Sequence, residues 1–168
     1  MKRSLPLLLC VVCIVFASCK KDDSDKAKAI YSPWFTPASY TSQTIFGILN
    51  FSYNQPAPEI TQEVIDGGAV LVFGKMLGYV VTIWPANQVS QMPITLVYRS
   101  GSTTVTDTWT ANITPGNLEI NMVNDNNLYN SITTAHQFRY VVIPVGELAG
   151  RSAPLSYAEI CAKYNIPE

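Results

Sequence analysis

Ile94-Thr95-Leu96-Val97-Tyr98-Arg99-Ser100-Gly101-Ser102-Thr103-Thr104-Val105-Thr106-Asp107-Thr108-Trp109-Thr110 alternates apolar and polar residues on both sides of a glycine. Period-two alternation marks a half-buried strand, and a glycine between two such runs marks a tight hairpin. Ser100-Gly101 is read as the two-residue loop, since Gly supplies the positive φ that tight turns need. That register sets Arg99 opposite Ser102, Tyr98 opposite Thr103 and Leu96 opposite Val105. One face then carries Ile94, Leu96, Tyr98, Val105, Asp107 and Trp109. The other carries Thr95, Val97, Arg99 and a threonine row at 104, 106, 108 and 110. A slip of one residue would mix the faces, so turn and pattern support each other.

Downstream, Thr114-Pro115-Gly116-Asn117 is turn chemistry, and Leu118-Ile120-Met122 alternates with Glu119 and Asn121 as another half-buried strand. Asn124 to Asn127 reads as a second turn, followed by a polar loop to Gln137. Phe138 to Ile143 is a last strong strand. The period then changes. Ser156-Tyr157-Ala158-Glu159 is a capping box with Leu155 and Ile160 as its staple, and Tyr157, Ile160, Cys161 and Tyr164 make one helical stripe.

Upstream, Tyr31 to Tyr40 reads as an extended lead-in whose aromatics cover one end of the core. Thr44 to Tyr53 is a strand with a bulge near Gly47, where the alternation shifts phase. Asn54 to Pro58 breaks it. Thr61 caps a short helical turn with Ile60 and Ile65 as staple and Gly67 as stop. Ala69 to Phe73 is continuously apolar, as in a strand covered on both faces. After a turn at Leu77-Gly78, Tyr79 to Trp84 is expected to pair back as its hairpin partner. These elements predict an all-β fold, an Ig-like β-sandwich of about seven strands with a short C-terminal helix, forming one domain over residues 30–168.

The chain begins differently. Lys2 and Arg3 precede an apolar run from Leu5 to Ser18, fourteen residues with Pro6 inside it. A spanning helix needs about 20 residues, whereas a basic start, a short apolar core and small residues before a cut describe a signal peptide over residues 1–18. Cys10 and Cys13 follow bulky residues; Cys19 follows Ala17-Ser18. Phe16-Ala17-Ser18-Cys19 resembles the bacterial lipobox, with Phe16 in place of the usual Leu and Ser18 in place of Gly or Ala. The lysine-then-acidic run Lys20-Lys21-Asp22-Asp23-Ser24-Asp25 resembles the tag of small surface-exported lipoproteins of the Bacteroidota.

That resemblance, confined to residues 16–25, implies acylation of Cys19, an outer-membrane location facing the periplasm or the cell surface, and the membrane as a partner through the lipid. It brings no catalytic residues. Several acyl chains, at roughly 0.8 kcal/mol per buried methylene, anchor a protein stably. Residues 19–29 would then be the lipidated cysteine and a charged tether; ten residues reach at most about 35 Å. The plainer alternative is a secreted protein cleaved near Ser18.

Removing the first eighteen residues leaves 150, with nine bases against twelve acids. That suits a single domain, and no basic patch for nucleic acid is visible. With Cys10 and Cys13 in the signal and Cys19 acylated, Cys161 stands alone and the core must hold by packing.

Catalytic chemistry finds little support. His136 is the one histidine, with no G-x-S-x-G motif, and is read as an ordinary loop residue; Cys161, on an apolar stripe, reads as a small buried hydrophobe. Asn124-Asp125-Asn126-Asn127 lacks the spaced acids of a calcium loop. No metal and no cofactor are expected. Asp107, among apolar neighbours, is read as a structural acid bonded to a turn or paired with an arginine such as Arg139, or else as a polar contact beside Trp109.

The leading expectation is therefore a lipid-anchored, non-enzymatic β-sandwich used for binding or for envelope structure, with a glycan or an envelope protein as partner. Two rivals stand beside it. One is a glycan-binding module with Trp34, Trp84, Trp109 and Tyr98 as a sugar platform, although such aromatics also serve as core. The other is a hydrolase centred on Asp107, which needs a second acid or His136 nearby.

Overall fold

In the computed structural model, which describes residues 28–145 and 155–168, the Ile94–Thr110 stretch forms a hairpin, with β6 at Ile94–Ser100 and β7 at Thr103–Thr114. The expected signal segment, Cys19 and the expected tether through residue 27 lie outside the described residues. The hairpin loop is Gly101-Ser102 and not Ser100-Gly101. Ser100 pairs with Thr103, Tyr98 with Val105 and Leu96 with Asp107. Glycine occupies the first loop position at φ +62°, as in a type II′ turn. The displacement is two residues, so every side chain keeps its expected face.

Seven strands of five or more residues and two of two residues make a sandwich of two antiparallel sheets among the described residues. The remaining strands are β1 (Ile30–Tyr31), β2 (Thr41–Ile45), β3 (Ile48–Ala57), β4 (Ala69–Lys75), β5 (Ser90–Gln91), β8 (Gly116–Asn124) and β9 (Gln137–Ile143). One sheet has the order β2-β3-β8-β7-β6, the other β1-β9-β4-β5.

The inner core fills the space between the sheets. Phe51, Leu96, Trp109, Leu118, Ile120 and Met122 come from the five-stranded sheet, and Val72, Phe138, Tyr140 and Val142 from the four-stranded one. The alternate residues of β4 and β9, including Phe73, Val141 and Ile143, form a second apolar layer. Helix α2 (Tyr157–Tyr164) covers that layer with Ile160 and Cys161, and Tyr157 and Tyr164 pack beside them. Double coverage is the physical reason β4 reads as a continuous apolar run and β9 is apolar from Tyr140 to Ile143. Ser156 and Glu159 make the capping box, and Cys161 is a buried free thiol.

Three expectations are corrected. The phase shift at Gly47 is a hairpin turn and not a bulge: Ile45 pairs with Ile48, and Phe46 and Gly47 take φ of +49° and +82°. The strand does not break at Asn54 but runs through Pro56 to Ala57. Beyond Ser52, β3 is paired with β8 alone, so a proline without an N–H is tolerated on the open side. Tyr79 to Trp84 is not a strand. The backbone turns there, with Ile83 and Trp84 N–H both donating to the Val80 carbonyl, and β4 pairs with β9 and β5 instead.

The short helix α1 (Gln62–Gly67) is capped by the Thr61 hydroxyl as expected. Its apolar contact to the core comes from Val64, while the staple residue Ile65 is exposed. The lead-in aromatics divide between layers: Phe35 and Tyr40 border the inner core, and Trp34 the outer one.

Phe46 is fully exposed at the hairpin tip, at 103 % of its reference area, in a left-handed conformation that costs a non-glycine residue roughly 1–2 kcal/mol. Phe46→Asn places at the turn the Asn-Gly pair that type I′ geometry favours. It should stabilise the fold by about 0.5–1 kcal/mol, raising the urea midpoint at constant slope. An unchanged or lower midpoint would show that the phenyl ring stabilises the tip.

Candidate functional site

Asp107 lies on the inward face of β7 and is wholly buried. The sheet register brings it two partners. Asn124 stands directly opposite on β8 and donates from Nδ2 to Oδ1 at 2.6 Å. Tyr98 lies two residues along β6 from Leu96, the residue opposite Asp107, and its hydroxyl donates to Oδ2 at 2.9 Å. Loops supply the other two donors, Tyr79 Oη at 2.7 Å and Tyr129 Oη at 2.8 Å, both to Oδ2. The Tyr98 and Tyr129 hydroxyls also lie against each other. Trp109 Nε1 donates to Tyr79 Oη at 3.1 Å and ties the indole to the same cluster.

Burial first, and then the hydrogen bond to Asp107, raises the Tyr79 hydroxyl well above the ordinary tyrosine value. Burial is also the main cause of the upward shifts of Tyr98 and Tyr129. The three phenols therefore stay protonated and remain donors. Asn124 carries the cluster into the following turn, where its Oδ1 accepts from the N–H groups of Asn126 and Leu128 at 3.0 and 2.9 Å. The Asn124 to Asn127 run is thus turn chemistry, as expected. Asn127 in turn bonds Leu49 N–H and the Gly47 carbonyl, each at 2.8 Å.

The expected Asp107–Arg139 pairing is not made. Arg139 belongs to the outward set of β9 and donates from Nη1 to Tyr157 Oη at 2.6 Å and to the Pro167 carbonyl at 2.5 Å, beneath α2. The four-stranded sheet separates it from Asp107. Nor do the indoles form a platform. Trp84 is buried and donates to the Gln88 carbonyl at 3.1 Å, and Trp109 is buried in the inner core. Trp34 lies in the outer layer against Tyr157, with Lys75 Nζ 4.1 Å from its ring centroid.

His136 sits in the loop before β9 but is no ordinary loop residue, being only 2 % exposed. Its ring stands edge-on to Trp109 at 4.7 Å between centroids and tilts against Tyr79 at 5.5 Å. Gly78 N–H donates to Nδ1 at 3.3 Å. Burial pushes the imidazole down to about 4, against the opposing pull of the Asp107 carboxylate. The ring is therefore neutral at ordinary pH, and with Nδ1 accepting, its proton resides on Nε2.

These groups surround a cavity of ≈ 270 Å³ that opens between the loops at 76–89 and 125–136. Trp109, Met122 and His136 form its floor, while Tyr79, Tyr129 and Ile132 form its walls. Gly78, Ser131 and Thr133 border its mouth. No residue charged at neutral pH lines it. Asp107 and Trp109 were legible in the sequence as an inward polar–aromatic pair. Tyr79, Tyr129 and Asn124 were missed as their partners, and the cavity was missed with them. Compared with protein-family models, with curated proteins and with solved structures, the chain matches none.

Two outcomes are expected. Asp107→Ala leaves four donors without their acceptor inside the sandwich. At about 1–3 kcal/mol for each unsatisfied group, the loss in urea unfolding should exceed about 3 kcal/mol; less than about 1 kcal/mol would show that the donors find new partners. His136 titrates near 4 when folded against 6.5 for the free side chain, so the unfolded chain binds an extra proton between those values. Its contribution to stability is complete above about pH 6.5 and declines as pH falls toward 4. His136→Phe should therefore show a smaller drop in melting temperature between pH 7 and pH 4.5 than the parent chain.

Proposed function

We propose that this chain is a lipid-anchored, extracytoplasmic lipoprotein of the outer membrane whose β-sandwich binds a ligand and catalyses no reaction. The anchor rests on Phe16-Ala17-Ser18-Cys19 and the charged run after it. The binding role rests on one observation: an uncharged, aromatic-floored cavity whose walls are already held by hydrogen bonds to a buried carboxylate. Concave, mostly apolar sites with a few placed polar groups are the usual form of small-molecule sites.

The same geometry speaks against acid–base work by Asp107. A general base must reach the proton it abstracts. Asp107 is wholly buried and its oxygens are engaged by Asn124, Tyr79, Tyr98 and Tyr129. The sugar-platform reading loses its basis with the indoles divided between two layers.

Mass spectrometry of the protein extracted from membranes tests the anchor. A mature N-terminus at Cys19 carrying acyl chains is expected, and Cys19→Ser should release the chain from the membrane fraction. An unacylated N-terminus near residue 19, or an intact Met1, would overturn the assigned compartment.

A further inference from the structure

Building on the binding reading, we infer that the cavity beneath Gly78 takes a neutral, largely apolar ring compound carrying one hydrogen-bond acceptor, which docks on His136 Nε2–H. The argument begins with the histidine. Its Nδ1 is engaged by Gly78 N–H, whereas Nε2 has no hydrogen-bond partner among the described residues. The side chain is 2 % exposed, yet Nε2 is not one of the fully enclosed polar atoms left without a partner, which are Trp34 Nε1, Tyr40 Oη and Arg139 Nε, so this donor keeps access to open space. The Cε1–Nε2 edge packs against Gly78, and both residues line the cavity: a methyl built on Gly78 would stand 2.7 Å from Cε1 and 3.0 Å from Nε2. The free donor therefore meets the cavity.

The rest of the lining selects the body of the ligand. Trp109 and Met122 below and Ile132 at the side offer apolar surface. The phenolic oxygens of Tyr79 and Tyr129 are held by Asp107, so they present mainly their rings. No cation is present to receive a carboxylate or phosphate, and an anion would have to leave water for an uncharged site. A cation would meet no free carboxylate, since Asp107 is engaged behind the tyrosines. A polyol would leave most of its hydroxyls opposite carbon. A ≈ 270 Å³ cavity is small against the roughly 300–1,000 Å³ of sites for drug-sized molecules, which suits a single ring with a carbonyl or ether oxygen.

His136 is the only histidine in the chain, so a full chain labelled with ¹⁵N-histidine reports Nε2 without ambiguity. Acetophenone is the neutral probe, ethylbenzene its analogue without an acceptor, benzoate its anionic analogue, and methyl β-glucopyranoside the sugar. Acetophenone should move the Nε2 resonance saturably. Ethylbenzene and benzoate should bind at least about tenfold more weakly, the scale expected for one unsatisfied buried donor. Gly78→Ala, whose new methyl also collides with Thr133 Cγ2, should abolish the acetophenone shift.

Benzoate or the glucoside binding as tightly as acetophenone would overturn the ligand class and leave the binding reading intact. A response to acetophenone that survives Gly78→Ala unchanged would overturn the assigned location. No response of Nε2 or of the Trp109 indole to any of the four compounds would overturn both this inference and the cavity as the site of function.

Discussion

A carboxyl group shut inside a sandwich has to be met by donors, and that requirement at Asp107 governs how the rest of this fold closes. Leaving a buried polar group unpaired costs on the order of 1–3 kcal/mol, and more if it is charged. The chain answers with an amide from β8, a phenol from β6 and a phenol from each of two loops. Register, loop path and cavity floor then become one problem. If β8 slipped by one residue, Asn124 would turn outward and leave Asp107 Oδ1 without its donor. If the loop at 76–89 moved away, Tyr79 would leave both Asp107 and the Trp109 indole.

The four-stranded sheet solves a different problem. Its inner face completes the main core, and its outer face would be an apolar surface open to water without α2 and the lead-in. Ile160, Cys161 and Ile166 close it, and Arg139 is held there by Tyr157 and the Pro167 carbonyl and lies over the Tyr31 and Trp34 rings. This third layer explains how a domain with no disulfide among its described residues buries both faces of β4 and β9. It also explains why Trp34, an attractive binding aromatic from sequence alone, is engaged in packing.

Much of this was written in local patterns. Alternation identified β6, β7 and β8, and their faces survived a two-residue error in turn placement because the side-chain period is two. The helix cap and stripe at Ser156 to Tyr164 depend only on neighbours in sequence, so they were readable too. The Asp107–Asn124 pair was also within reach: a turn at Pro115-Gly116 sets Thr114 opposite Asn117, and counting back along both strands brings 107 to 124. Tyr79, Tyr129 and His136 were not readable in that way. They reside on irregular loops where no periodicity assigns a face, and Tyr79 lies in a β-rich run, Tyr-Val-Val-Thr-Ile-Trp, that resembles a strand locally. Tertiary hydrogen bonds overrode that propensity.

The cavity follows from the same override. Well-packed interiors leave few voids larger than a water molecule, because neighbouring side chains collapse into them. Here the surrounding side chains have little freedom to collapse. Tyr79 and Tyr129 are held at their hydroxyl ends by Asp107, and Trp109 is tied to Tyr79. Gly78 bonds the His136 ring through its backbone, and having no side chain it lets Thr133 and the ring approach it closely. Walls held by directed bonds keep their shape when water leaves, so an entering ligand need not reorganise them. The buried carboxylate thus shapes the site without touching what enters it, and His136 Nε2–H, which it does not engage, is a group left to orient the ligand.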